Sequence, residues 1–239
     1  MILYLNGDSH SVAAEATNIH AFANDDHKHW GTPHRHGHRS NLDVSYGAKL
    51  SEQLGCSWIN QGESGSSNYR IMRTARIFLE TSNVKDLVLL IGWSTWEREE
   101  WLHNGVYYQV TASGTDTVPA DLQDKYKRWV IDSSNRVAKN EIFWHDEIYR
   151  FHQELESKNI KHLFFNTYRY FNHISLPENN IEKHNWGNSY IDPYSRDLTY
   201  FYWLQDRGYK TVSEQSYHYG ADAHLAWSSL LQEKIQLIL

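Results

Sequence analysis

A serine hydroxyl becomes a nucleophile when a base takes its proton, and the base works best when an acid orients it. Ser9 stands in Gly7-Asp8-Ser9-His10, directly after the apolar run Ile2 to Asn6. That order places its hydroxyl at a strand-to-helix turn, where a helix N-terminus favours developing negative charge. Near the other end, Asp222-Ala223-His224 offers a base, His224, and an orienting acid, Asp222, with His218 as a fallback base. Two more small polar motifs lie between: Asn60 to Asn68 (NQGESGSSN) and Gly92 to Thr95 (GWST). Together these residue types point to acyl transfer through a Ser-His-Asp triad, chemistry that calls for no metal and no organic cofactor.

The elements that must position them follow from pattern. Ile2 to Asn6, Ser57 to Asn60, Lys85 to Ile91, Lys161 to Asn166 and Tyr209 to Val212 read as strands, and KDLVLLI is continuously apolar, as for a strand covered on both faces. Helical spacing marks 42–54, 68–81, 121–131, 136–158, 197–207 and 222–237, with Gly55 as a C-cap. Alternating strands and helices predict a three-layer α/β/α fold around a mostly parallel, flavodoxin-like sheet. Sites in such sheets lie at the carboxyl ends of the strands, and the four polar motifs all follow strands. The 239 residues fit one domain, 1–239, with loop insertions at about 18–41, 93–120 and 168–196.

The order GDS, then N-x-G-x-x-G (Asn60, Gly62, Gly65), then G-x-S-T, then a late D-x-H resembles the blocks of the SGNH (GDSL-like) hydrolases. The resemblance spans residues 5–227 and is close in the first block. It implies Ser9 as nucleophile and oxyanion donor through its own N–H, Gly65 as a second N–H donor, and Asp222 and His224 as the rest of the triad. The GDSH form with a later DAHL is also similar to SGNH domains that accompany membrane O-acyltransferases. Residues 64–68, GWSTWEREEW and HYGADAH are similar to uncharacterised proteins of T4-like cyanophages. Two departures stand out. Where the family's third block has an Asn that donates to the oxyanion, this chain has Ser94, and losing one such donor costs about 10²–10³ in rate. Asn68 is a candidate to reach in instead. The late block is D-x-H rather than D-x-x-H.

Other constellations are weaker. Trp93, Trp96 and Trp101, with Arg98, could line an acyl or sugar pocket or simply pack an insertion against the sheet. Glu97 to Glu100 reads as a solvated face, and Arg70, Arg73 and Arg76 as partners for neighbouring acids. His27, His29, His34, His36 and His38 cluster without the carboxylate or cysteine spacing of a structural zinc site, so no metal is assigned. His145 and His152 share a helix face that reads as surface or partly buried. Ten tryptophans and sixteen tyrosines suit sugar faces, or fill a core poor in methionine.

Net charge is -6 with no basic block, which argues against nucleic acid. The apolar runs are too short for a membrane span, the N-terminus has no signal-peptide pattern, and the single cysteine fits a reducing cytoplasm. The expected activity is a serine esterase acting on a small-molecule or carbohydrate ester, plausibly an O-acetyl group. The alternatives are an O-acyltransferase, or a non-catalytic carbohydrate-binding or virion-associated protein on the same scaffold.

Overall fold

The computed structural model describes residues 1–17, 37–112 and 118–239. His27, His29, His34 and His36, and most of the expected 18–41 loop, lie outside the described residues.

The strands are β1 (Ile2–Asn6), β2 (Ser57–Asn60), β3 (Leu87–Trp93), β4 (Glu99–His103), β5 (Val106–Val110) and β6 (Lys161–Asn166). The helices are α1 (Arg39–Leu42), α2 (Tyr46–Leu54), α3 (Asn68–Thr81), α4 (Gln123–Ser134), α5 (Val137–Ser157), α6 (Asn172–Ser175), α7 (Tyr200–Asp206) and α8 (Ala221–Ile235). Four strands form one parallel sheet in the order β2-β1-β3-β6, while β4 and β5 make a separate antiparallel hairpin. Successive strand side chains point to opposite faces, and both faces are apolar. Leu3, Leu5, Val88, Leu90, Leu163 and Phe165 meet Tyr46 and Leu50 of α2, Leu204 of α7, and Trp227 and Leu231 of α8. Tyr4, Leu89, Ile91 and Phe164 meet Ile71 and Ala75 of α3, and Ile148, Phe151 and Leu155 of α5. Burying each such side chain contributes roughly 1.5–3 kcal/mol. The result is the expected three-layer α/β fold.

Local chemistry sets the helix ends. The Ser45 hydroxyl accepts from the Ala48 N–H to start α2, and Gly55 ends it in the left-handed region at φ 61°. The Ser67 hydroxyl accepts from the Arg70 N–H to start α3. The chain runs from β1 outward to β2, then back past β1 to β3. That reversal puts the switch point of the sheet at the carboxyl ends of β1 and β3, where doubly wound sheets place their ligands.

Three expectations are corrected. Tyr209 to Val212 is not a strand: its pairing is one bridge, Thr211 with Tyr219, and only Tyr209 packs against the core while Val212 is exposed. The third strand begins later and reaches Trp93. The 93–120 stretch is not merely loop, since its hairpin packs Trp101 and Val110 on Tyr126 and Trp129 of α4. Among the described residues no helix is long and apolar enough to cross a membrane.

Candidate active site

The turn after β1 is held from below by Asn6. Its side-chain oxygen accepts from the Gly7 N–H, and its amide donates to Ile71 O and Thr74 Oγ1 on α3. A Cβ on Gly7 would lie 2.0 Å from Ser11 Oγ and 2.8 Å from Gly92 O, so only glycine lets the turn approach β3. Residues 8–16 coil through successive turns instead of the expected helix, with Ser11 N–H donating to Asp8 O and Ala14 N–H to Ser9 O. Ala13 and Glu15 have φ 50° and 65°, a left-handed conformation that costs roughly 1–2 kcal/mol per L residue and interrupts any helix. Backbone strain of this kind gathers at functional sites. Ser9 keeps 6% of its surface exposed, and among the described residues its hydroxyl has no hydrogen-bond partner.

Asp8 is buried beside it and densely bonded. Oδ1 accepts from the His10 N–H, and Oδ2 accepts from the Ser94 hydroxyl at 3.1 Å and Arg98 Nη1 at 3.0 Å, while the nearby Thr167 hydroxyl donates to Trp93 O at 2.8 Å. Burial opposes its charge, but in the acid range where Asp8 titrates a protonated His10, with Arg98 and the hydrogen bonds from His10 N–H and Ser94, outweighs burial and holds the carboxyl below its usual range. Arg98 is therefore no member of a solvated face. Glu100 is not either: it takes both ends of the Arg73 guanidinium at 2.8 and 2.7 Å. Arg70 pairs with Glu63 and Arg76 with Glu154, so all three helix arginines find acids.

The expected base and acid do not meet. Asp222 and His224 both lie on α8, and two residues at about 100° each put them on nearly opposite faces. Asp222 is exposed in the first turn, and His224 is buried. His224 Nδ1 accepts from the Tyr46 N–H at 3.2 Å, so its proton is on Nε2, 3.3 Å from the Tyr200 hydroxyl. Neither nitrogen is left to take a serine proton, and burial, with His10 and His218 nearby, lowers its pKa to about 3.

His218, just before α8, is placed differently. Its Nδ1 lies 2.6 Å from Glu15 Oε2, which also accepts from the Ser216 hydroxyl. The hydrogen bond from His218 chiefly holds the Glu15 carboxyl below its usual range, against burial. An Nδ1–H donating to Glu15 leaves Nε2 as the acceptor, and among the described residues Nε2 has no partner. The His10 ring, adjacent to Ser9 in the chain, meets His218 edge-on at 5.3 Å. Burial lowers the His10 pKa to about 4, so His10 is neutral at pH 7. Glu15 was missed from sequence, where nothing links it to a residue more than two hundred positions later.

The remaining candidates sort clearly. Gly65, in the left-handed region at φ 79°, lies in the loop after β2. That loop docks on the Ser9 turn through Glu63 N–H to Gly7 O and Asn60 Nδ2 to Ser11 O. Ser94 cannot serve as an oxyanion donor in this arrangement, because its hydroxyl proton is given to Asp8. Asn68 does not reach in either: its side chain exchanges two hydrogen bonds with the Ser94 backbone. Trp93 and Trp96 are core residues, not pocket walls; Trp93 packs on Phe151 and Phe164, and Trp96 stacks on Phe171.

His145 and His152 are buried, not a surface face. His145, Asp146 and His184 bring ligand atoms within 4.8 Å of one another. The Tyr194 hydroxyl accepts from the backbone N–H of His184 and the Trp186 indole, so its own proton goes to His145 Nε2. Neutral His145 then carries its proton on Nδ1, 3.6 Å from Asp146 Oδ1, and turns a donor, not a lone pair, toward the cluster. The two imidazoles also stack at 4.1 Å and 10°, so their in-plane nitrogens do not converge on one point.

No protein-family model and no curated protein matches the chain. Similar solved structures include a putative lipolytic protein of the G-D-S-L family from Desulfitobacterium hafniense DCB-2, at 11% identity and TM-score 0.34, covering 100% of this chain and 99% of that one. An alpha/beta hydrolase enzyme from the metagenome of Lake Arreo, Spain, matches at 13% identity and TM-score 0.45, covering 100% and 96%. A carbohydrate esterase family 2 enzyme with a carbohydrate-binding domain, from Corynascus thermopiles, matches at 13% and 0.38, covering 98% and 65%.

Proposed function

We propose that the chain is an SGNH-type serine esterase that hydrolyses a carboxylic ester, with an O-acetyl group on a carbohydrate as the substrate class. The observation that carries the reading is the pairing of Glu15 with His218, whose ring meets that of His10, the neighbour of a serine with an uncommitted hydroxyl, in the turn after β1, where the sheet order reverses. Ser9 Oγ attacks the ester carbonyl while His218 Nε2 takes its proton. Glu15 holds the ring in the tautomer that accepts there and stabilises the imidazolium that forms. The Ser9 and Gly65 N–H groups face the developing oxyanion. His218 returns the proton to the leaving alkoxide, and water then opens the acyl-enzyme by the same route. An acceptor hydroxyl in place of that water would make the protein an O-acyltransferase.

The test is the steady-state hydrolysis of p-nitrophenyl acetate by wild type and Ser9→Ala. Turnover by the wild type that disappears in the variant supports the reading. Equal turnover by both, or none by folded wild type on acetyl esters, overturns it.

A further inference from the structure

When Ser9 bonds to the carbonyl carbon, the C=O π pair moves onto oxygen and the serine proton moves to His218. The new negative charge needs donors fixed in advance. Two backbone N–H groups are available, and the Ser94 hydroxyl is not, since it donates to Asp8. One side chain stands where the three site-bearing segments meet. Arg98 Nη1 lies 3.0 Å from Asp8 Oδ2 on the turn after β1, 2.8 Å from Ser94 Oγ after β3, and 3.5 Å from Ser66 O, the residue following Gly65 in the loop after β2.

A guanidinium carries five N–H donors in one plane. Only Nη1 is engaged among the described residues; Nε and Nη2 have no partner there. The side chain is 22% exposed while Asp8 is 2% exposed, so the guanidinium is anchored through Nη1 on a buried carboxylate in a side chain that is not fully enclosed. An anchored, charged donor stabilises an oxyanion without having to reorganise as the charge forms. We propose that Arg98 is a catalytic residue that donates a hydrogen bond to the oxyanion, doing with a cation what Ser94 does not do. It keeps its proton throughout, and the charge on oxygen returns to the carbonyl when the leaving alkoxide departs. This assignment rests on the serine-esterase reading of Ser9.

Arg98→Met alone would leave Asp8 as an unpaired buried charge, so the comparison is made within an Asp8→Asn background. Wild type is first labelled with a fluorophosphonate and the site mapped. Then kcat and KM on p-nitrophenyl acetate, and Ki for phenylboronic acid, are measured for Asp8→Asn, Asp8→Asn/Arg98→Met and Asp8→Asn/Arg98→Lys. Boron bound to Ser9 Oγ is tetrahedral and anionic, so it reports oxyanion binding without turnover. The expected result is a kcat about 10²–10³ lower in the Met double variant than in Asp8→Asn, a smaller change in KM, a Ki raised in parallel, and partial recovery with Lys. Equal kcat and Ki in the Met double variant and Asp8→Asn would show that Arg98 only ties the loops together. Wild type unlabelled at Ser9 removes the esterase reading and this assignment with it, an outcome separable from the kinetic one because it precedes any Arg98 variant.

Discussion

His218 Nδ1 lies 2.6 Å from Glu15 Oε2, across 203 positions of chain. The acid that orients the candidate base thus comes from the strained turn that carries Ser9, not from the helix that carries Asp222. The candidate nucleophile Ser9 and Glu15 share that turn, in which Glu15 sits at φ 65°.

The two histidines make opposite predictions. His218→Ala is expected to lower kcat on p-nitrophenyl acetate by about 10²–10⁴, the range a general base supplies. His224→Asn keeps an acceptor for the Tyr46 N–H and is expected to stay within about 10-fold of wild type, since His224 transfers no proton. Steady-state rates of the two variants decide between them; loss with His224→Asn and none with His218→Ala would return the base to α8.

Glu15→Gln replaces a carboxylate with an amide that holds the His218 ring less firmly in its accepting tautomer. The expected loss in kcat lies between about 10 and 10⁴, the upper end matching an orienting Asp changed to Asn in a serine protease. Asp222→Asn, on the exposed face of α8, is expected to change kcat by less than about 3-fold, as for substitutions away from the reacting groups. A reversal of these two results, read from kcat, would contradict the Glu15 assignment.

Ser94 has a changed expectation. From the sequence, an Asn at this position should supply the missing donor and raise kcat. In the fold Ser94 is 1% exposed and its hydroxyl joins Asp8 to Arg98. The larger amide overpacks that space, so Ser94→Asn is expected to lose about 1–3 kcal/mol of stability without a rise in kcat. Urea unfolding together with kcat checks both halves.

Acid stability follows from the buried histidines. Burial chiefly lowers His10, His145 and His162 to about 4 and His224 to about 3, against roughly 6.5 in an unfolded chain. These groups stay neutral in the fold while the unfolded chain binds protons, so stability is full above about pH 6.5 and falls as pH drops toward the folded values. Each contributes up to about 1.4 kcal/mol per pH unit in that window. Urea unfolding at pH 7, 6 and 5 should show a progressive loss of several kcal/mol, with a shallower slope in His224→Asn. A free energy unchanged from pH 7 to pH 5 contradicts the account.

Much of the fold was legible because it rests on local signals. The apolar runs at β1 and β6 and the spacing over Asn68–Thr81 carry their own assignment, and the continuous apolar run of β3 already calls for cover on both faces of the sheet. The Ser9 turn and the Gly65 loop were legible as motifs. The base was not, although one signal was present: with 222–237 read as a helix, Asp222 and His224 already point apart at 100° per residue. Glu15 and Arg98 were hidden for another reason. A carboxylate in an alanine-rich turn and an arginine among three glutamates look like solvated charges, and only the approach of β1 to β3 brings Arg98 to Asp8.

The most direct measurement is labelling of the folded wild-type protein with a fluorophosphonate, followed by peptide mass spectrometry. The account predicts one adduct, on Ser9, absent from Ser9→Ala and strongly slowed in His218→Ala. A folded protein that takes no label, or takes it at a residue other than Ser9, would contradict it.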